Sequence, residues 1–274
     1  MAFDVASVKQ TTTAPTNFNF PLGPGDVYLA NGGLLKATNL PLSAYIMFAY
    51  KITNNQEQPF LFQLPKWVST AHYDIDARKE GNPTKDQMRL MMQSLLADHF
   101  RLVVHYETRQ VAVFALVMAK PGALGPLLQK HADDAPCPKV SLVPSPAPTN
   151  QPQPEFVDRR FPVPCDGILG MPPSTRGRVR SGARNVSMQL IASSLTGQLT
   201  GVDRPVVDRT GLTGTFDFAI EFTPQVPPFA KFELDPSGPT FVQALDEQLG
   251  LRLEPQMGPL DLPVVDYIEP PVAN

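Results

Sequence analysis

Two rhythms of apolar residues take turns along the chain, an alternation suited to strands and a three-to-four residue spacing suited to helices. Phe3-Asp4-Val5-Ala6-Ser7-Val8 alternates from the outset and predicts a strand. Ala37-Thr38-Asn39-Leu40-Pro41-Leu42 then opens a helical run to Tyr50, with Leu42, Ile46 and Tyr50 on one face and Asn39 as the expected N-cap. The alternating run from His72 to Ala77 predicts a strand, and residues 85–98 a helix with Met88, Met91, Met92, Leu95 and Leu96 turned inward. Strands over 100–104 and 111–117 complete the half.

The same succession returns later in the chain. Ala183-Arg184-Asn185-Val186-Ser187-Met188 opens a helix toward Leu199, Thr215 to Phe222 alternates as a strand, residues 240–249 form a second helix, and strands over 251–254 and 262–268 follow. Chance likeness of two apolar periodicities is the competing explanation, but the shared Ala-x-Asn openings and the Arg-Leu after each second helix favour duplication. The predicted class is therefore α+β. It consists of two similar modules of strand-helix-strand-helix-strand-strand order, with small mixed or antiparallel sheets and helices on one face. The modules are expected over 1–120 and 178–274, joined by a Pro-rich connector over 121–177 that holds Pro144-Ser145-Pro146-Ala147-Pro148 and Gln151-Pro152-Gln153-Pro154.

Composition narrows the function classes. With 23 basic and 26 acidic residues in 274, and a net charge of −3, the chain lacks the basic excess a nucleic-acid binder needs. No run of 18 apolar residues predicts a membrane span. The N-terminus lacks the basic and apolar regions of a signal peptide, so the chain reads as cytosolic or as an exported form whose leader has been removed. Proline, 31 of 274 residues, is at roughly twice average usage. Both cysteines, Cys137 and Cys165, fall in the Pro-rich connector. They are expected either to pair as a disulfide stapling it, which favours an extracytoplasmic compartment, or to remain two thiols. Neither is in a CxxC and no histidine is close to Cys165 in sequence, which disfavours zinc and Cys-His catalysis.

Four strings carry a family resemblance: Phe3-Asp4-Val5-Ala6-Ser7-Val8-Lys9, Leu95 to Leu102 running on to His105-x-Glu107-Thr108-Arg109, Arg204-Pro205-Val206-Val207-Asp208-Arg209-Thr210-Gly211-Leu212-Thr213-Gly214, and Glu247-Gln248-Leu249-Gly250-Leu251. The chain resembles a large paralogous family of soil Acidobacteria of the Solibacter type, some of whose members are fused to the membrane metallopeptidase domain of antibiotic-sensing receptors. The resemblance implies a periplasmic or secreted protein and one activity, opening of the lactone ring of N-acyl-homoserine lactones (quorum quenching). It assigns no catalytic residue. Each half also resembles, weakly, the short periplasmic domain at the start of secretins and TonB-dependent receptors, which implies a non-catalytic binding or interaction module.

The residues themselves contain no Gly-x-Ser-x-Gly elbow, no His-x-His-x-Asp-His cluster, no His-Glu-x-x-His and no P-loop. The best local constellation is His72, Asp74 and Asp76, which a strand period of two puts on one face. Asp74 and Asp76 suit a divalent cation such as calcium, and the imidazole or a carboxylate suits a general base. The simpler reading of the same pattern is the ordinary solvated face of an edge strand. His105 and Glu107 share the alternation, and if the two segments were neighbours in one sheet all five groups would converge as a catalytic site. Asp203, Arg204, Asp208 and Arg209 around a two-glycine turn are candidates for ligand binding, or for a turn held by its own charges. The expected partner is thus a small-molecule ligand or a protein.

Overall fold

The computed structural model describes all residues except 13–14, 27, 29–30, 136, 138–159, 163, 227–232 and 272–274. The prolines of 144–154 therefore lie outside the described residues. The fold is α+β. In the first half, strands β1 (Val5–Thr11), β2 (Asn17–Phe18), β3 (Leu34–Pro41) and β4 (His72–Arg78) form a sheet in the order β1-β4-β3-β2, with every neighbouring pair antiparallel. Helices α1 (Leu42–Ala49), α2 (Asn54–Leu61) and α3 (Lys66–Thr70) run between β3 and β4, and α4 (Lys85–Phe100) and the long β5 (Val103–Met118) follow.

In the second half, β6 (Leu128–Lys130), β7 (Gly167–Met171) and β8 (Val179–Ser187) come first, then α5 (Met188–Ser194), β9 (Val206–Asp208) and β10 (Thr215–Phe222). The sheet order is β6-β10-β8-β7, again antiparallel throughout. It is the first sheet strand for strand, with β6, β7, β8 and β10 standing for β1, β2, β3 and β4. Helix α6 (Phe241–Leu249) and strand β11 (Leu251–Tyr267) repeat α4 and β5. The repeat is therefore longer than periodicity predicts, because the two ends of the expected connector supply the first two strands of the second sheet.

Two further expectations change. The paired strands expected at each repeat's end are single long strands, β5 and β11, which neighbour each other in a third sheet of order β11-β5-β9. Their contacts run from His105 with Asp266 to Ala119 with Gly250, so the pair is antiparallel. The compact units also divide elsewhere than at 120 and 178. One contains Met1–Arg109 and the chain from Pro259 onward, and the other contains the described residues between Gln110 and Gly258. The physical reason is that β5 and β11 are each long enough to contribute one part to each unit.

Asn39 and Asn185 are not N-caps; Pro41 and Ser187 occupy those positions. Instead each asparagine has left-handed backbone geometry, with φ of 54° and 55°, inside a β-bulge. Between the pairs Ala37 with Ile75 and Leu40 with Tyr73, two residues of β3 oppose only Asp74. Between Ala183 with Phe218 and Val186 with Phe216, two residues of β8 oppose only Asp217. The bulged N–H loses its ladder partner, and in both repeats the opposing carboxylate replaces it. Asn39 N–H donates to Asp74 at 2.8 Å and Asn185 N–H to Asp217 at 3.0 Å. Asparagine tolerates this conformation better than most residues because its short amide bonds locally.

The helices repeat their ends as well. Thr84 caps α4 and Thr240 caps α6, each in a reciprocal box with the glutamine three residues on, Gln87 and Gln243. Left-handed Arg101 and Gly250 end them. In the first unit Tyr73, Ile75 and Ala77 of β4 pack with Met88, Met91, Met92, Leu96 and Phe100 of α4, each large side chain contributing about 1.5–3 kcal/mol by burial. In the second, Phe216, Phe218 and Ile220 pack with Ile191, Leu245 and Leu249.

The bulge cap is testable by urea denaturation. Asp74→Ala leaves the Asn39 N–H unmet and should cost about 1–3 kcal/mol. Asn39→Gly, which keeps the left-handed geometry and the N–H bond to Asp74 and loses the side-chain contact with His72, should cost less, about 1 kcal/mol or under. Equal losses from both would mean that the carboxylate does not serve the bulge.

Candidate functional site

His72, Asp74 and Asp76 do share one face of β4 while Tyr73, Ile75 and Ala77 are buried on the other. β4 is not the edge strand anticipated, since β1 and β3 flank it. The polar face is also occupied by the fold itself. Asp74 accepts the bulge N–H, the His72 Nδ1 lies 2.8 Å from Asn39 Oδ1, and Asp76 faces Lys36 at 3.9 Å across exposed surface. That use of Asp74 follows from its place opposite the bulge.

His105 and Glu107 lie on β5, in a different sheet from β4, so the strand pairing that would bring the five groups together is not made. They form an exposed chain of their own. His105 Nδ1 meets Asp266 at 2.8 Å, its Nε2 meets Glu107 at 3.1 Å, and Arg109 holds the other Glu107 oxygen at 2.7 and 2.9 Å. Hydrogen bonds to Asp266 first and Glu107 second hold the imidazole pKa above its ordinary 6.5. Arg109 first and His105 second hold the Glu107 carboxyl below 4.5. Both ring nitrogens face carboxylate oxygens, which only accept, so this bonding favours the protonated imidazole.

The Arg204-Pro205-Val206-Val207-Asp208 run is the short strand β9 and the two residues that lead into it. β9 lies parallel to β5, with Val206 beside Phe114. The Arg204 guanidinium sits 4.8 Å from the centre of the Phe114 ring, and its Nε donates to Asp203 at 3.2 Å. Asp208 accepts from the N–H and hydroxyl of Thr210 at 2.9 and 2.8 Å, and the Arg209 N–H donates to the Leu116 carbonyl at 2.9 Å. Asp203, Arg204 and Asp208 are thus engaged within this strand and turn, as is the Arg209 backbone.

The group that sequence spacing disfavoured is the one that comes together. A disulfide joins Cys137 and Cys165. His131, which directly follows β6, brings its Nε2 to 3.6 Å from Cys137 Sγ and its Nδ1 to 2.6 Å from Asp217. His131, Cys165, Asp217 and Arg184 are buried. His131 and Asp217 are 86 residues apart in the chain, so no local motif signals the pair.

Sequence reading also misses Lys85 and Arg89, buried on α4. Lys85 Nζ donates to the carbonyls of Gly23 and Gly25, while Arg89 donates to those of Pro24 and Gly25 and to Asp26. Burial first, and the neighbouring Arg89 second, push the Lys85 amine down to about 7, with Asp26 opposing. Their only sequence signal is a pair of cations at helical spacing beside inward methionines. Both clamp the 23–26 loop.

Among known proteins, the profile of the family described as "Protein of unknown function (DUF3738)" matches residues 43–268. No curated protein and no solved structure matches the chain. No helix among the described residues is long and apolar enough to cross a membrane.

Two titrations check the electrostatics. Raised above its unfolded value, His105 contributes stability that is complete below about pH 6.5 and is lost as pH rises through its folded pKa. Glu107 contributes above its unfolded value and loses it as pH falls through its lowered one. Ring-proton NMR should place the His105 midpoint above 6.5, and Asp266→Asn should return it toward that value. Lys85 behaves oppositely, because between about 7 and its ordinary 10.5 the unfolded chain binds the proton and the folded one does not. Stability should rise across that interval by up to about 1.4 kcal/mol per pH unit from this group, and Lys85→Met should remove the slope.

Proposed function

We propose that this chain, which belongs to the DUF3738 family, is a non-catalytic extracytoplasmic binding module that takes an extended segment of a protein partner along the open edge of β1. The observation that carries the reading is the contrast between edges. β1 pairs with β4 in unbroken register over seven residues, and among the described residues no strand covers its other side. It contains no proline and a single charge, Lys9, and Val5 is 71% exposed. The equivalent strand of the second repeat, β6, has only three residues. The other long edge, β11, carries Pro255, Pro259 and Pro263, which remove donors a foreign strand would use. β1 thus lacks the usual protection against an added strand, and strand addition is an established mode of peptide recognition.

Other observations support the non-catalytic and extracytoplasmic parts. Asp74 serves a bulge, both ring nitrogens of His105 are engaged by carboxylates, and Asp208 serves a turn. The disulfide suits an oxidising compartment. The resemblance to exported acidobacterial paralogues and to the short domains of secretins and TonB-dependent receptors points the same way. Opening of N-acyl-homoserine lactones, the other activity that resemblance implies, is what the test separates.

The disulfide-intact protein is panned against a displayed library of random dodecapeptides, and hydrogen exchange is measured with and without a selected peptide. Slowed exchange over residues 5–11 is expected. Ser7→Pro and Val8→Pro serve as paired variants. Successive N–H groups of a strand alternate in direction, so one variant breaks a bond to β4 and lowers Tm, while the other removes only an outward donor. The outward variant should melt normally and bind at least about tenfold more weakly, a loss of ~1.4 kcal/mol. Selected peptides that protect another surface, or catalytic release of acid from an N-acyl-homoserine lactone by the same preparation, would overturn the reading.

A further inference from the structure

The buried group around the disulfide has the arrangement of a metal site whose sulfurs are tied together. The ligand atoms of His131, Cys137 and Cys165 all lie within 4.8 Å of one another. Tetrahedral zinc, with bonds of about 2.3 Å to sulfur and 2.0–2.1 Å to nitrogen, places an N and an S ligand roughly 3.5 Å apart and two S ligands roughly 3.8 Å apart. The observed separation of His131 Nε2 from Cys137 Sγ is 3.6 Å. Breaking the disulfide and letting the sulfurs part completes a three-residue set, with the fourth position left for water or another ligand.

Tautomer and charge agree. The His131 Nδ1–H donates to the Asp217 carboxylate at 2.6 Å, which turns Nε2 toward the Cys137 sulfur. A carboxylate on the far nitrogen is the usual orienting partner of a zinc-bound histidine. Asp217 is itself balanced by the buried Arg184, whose Nε is 3.8 Å away. Zinc with two thiolates and a neutral imidazole adds no net charge to that pair, so the metal enters a buried site without leaving an unmatched ion.

The geometry points to a zinc site formed by His131, Cys137 and Cys165 on reduction of the disulfide, with Asp217 orienting the histidine. A dithiol reductant supplies two electrons and two protons to the S–S bond and is itself oxidised to a disulfide; the two thiols formed bind zinc as thiolates and release two protons. The same cysteines then staple the segment before β7 to the loop that follows β6 in either redox state, by a covalent bond when oxidised and by metal when reduced.

The full chain is reduced anaerobically with a phosphine, desalted and titrated with zinc chloride or cobalt chloride, beside the unreduced chain. One zinc per reduced chain and none per oxidised chain is expected, with both thiols protected from alkylation by the metal. Cobalt should give a thiolate charge-transfer band and displace the ring-proton resonances of one histidine. His131→Gln should weaken zinc binding at least about tenfold. Reduced protein that takes up no zinc overturns the assignment. So do cobalt-loaded parent protein with no displaced histidine resonance, a reading independent of whether the variant folds, and a folded His131→Gln variant of unchanged affinity.

Discussion

A carboxylate placed opposite a bulge is the constraint on which both sheets rest. In β3 the inward residues are Leu35, Ala37 and Leu40, and the last step is three rather than two. In β8 Ala183 and Val186 are likewise buried three apart. The extra residue shifts the alternation by one place, so that the chain reaches α1 and α5 with the core on the correct side. It also leaves one N–H without a ladder acceptor. Only the strand residue facing the bulge can supply one, and there the side chain is aspartate in both repeats, between two buried neighbours: Tyr73-Asp74-Ile75 and Phe216-Asp217-Phe218.

From that common position the repeats diverge. In the first, the polar face of β4 remains partly open, and Asp74 needs only the bulge N–H and solvent. In the second, Phe161 and Met171 pack on Ala219 on the same face as Asp217, and β10 is buried on both sides. Taking a carboxylate out of water costs several kcal/mol before its partners act. Arg184 and the ring N–H of His131, with the bulge N–H, offset that cost. Histidine beside the disulfide is thus a consequence of covering a face that the first repeat leaves uncovered.

What was legible in the sequence was whatever depends on neighbours a few residues away. The alternation of His72 to Ala77 and the inward methionines of α4 are of this kind, and both were found where the pattern put them. β6 and β7 were not legible, being three and five residues in a Pro-rich stretch whose pairing with β10 and β8 spans tens of residues. The unity of β11 was hidden for a different reason. Three prolines argue against a central strand, but an edge strand accepts them where the missing N–H has no partner to lose.

Candidate chemistry is hard to read in sequence because alternation reports only that a polar residue stands between core residues. Water, a substrate, a metal or an unpaired backbone N–H on the far side all yield the same spacing. Asp74 and Asp217 show the degeneracy within one chain, since equivalent carboxylates serve an open strand face and a buried histidine. The deciding quantity is what the paired strand and covering segment bring opposite, and those come from β3 for Asp74 and from β8 and the end of β6 for Asp217. A cysteine pair of which only Cys137 has a histidine near it in sequence is subject to the same limit. Lys130, paired with Phe216, is the last residue of β6, and the His131 N–H bonds the Thr215 carbonyl at 2.9 Å, so sheet register fixes the imidazole beside Asp217, 86 residues away, and the disulfide brings Cys165 to the Cys137 that lies six residues from His131.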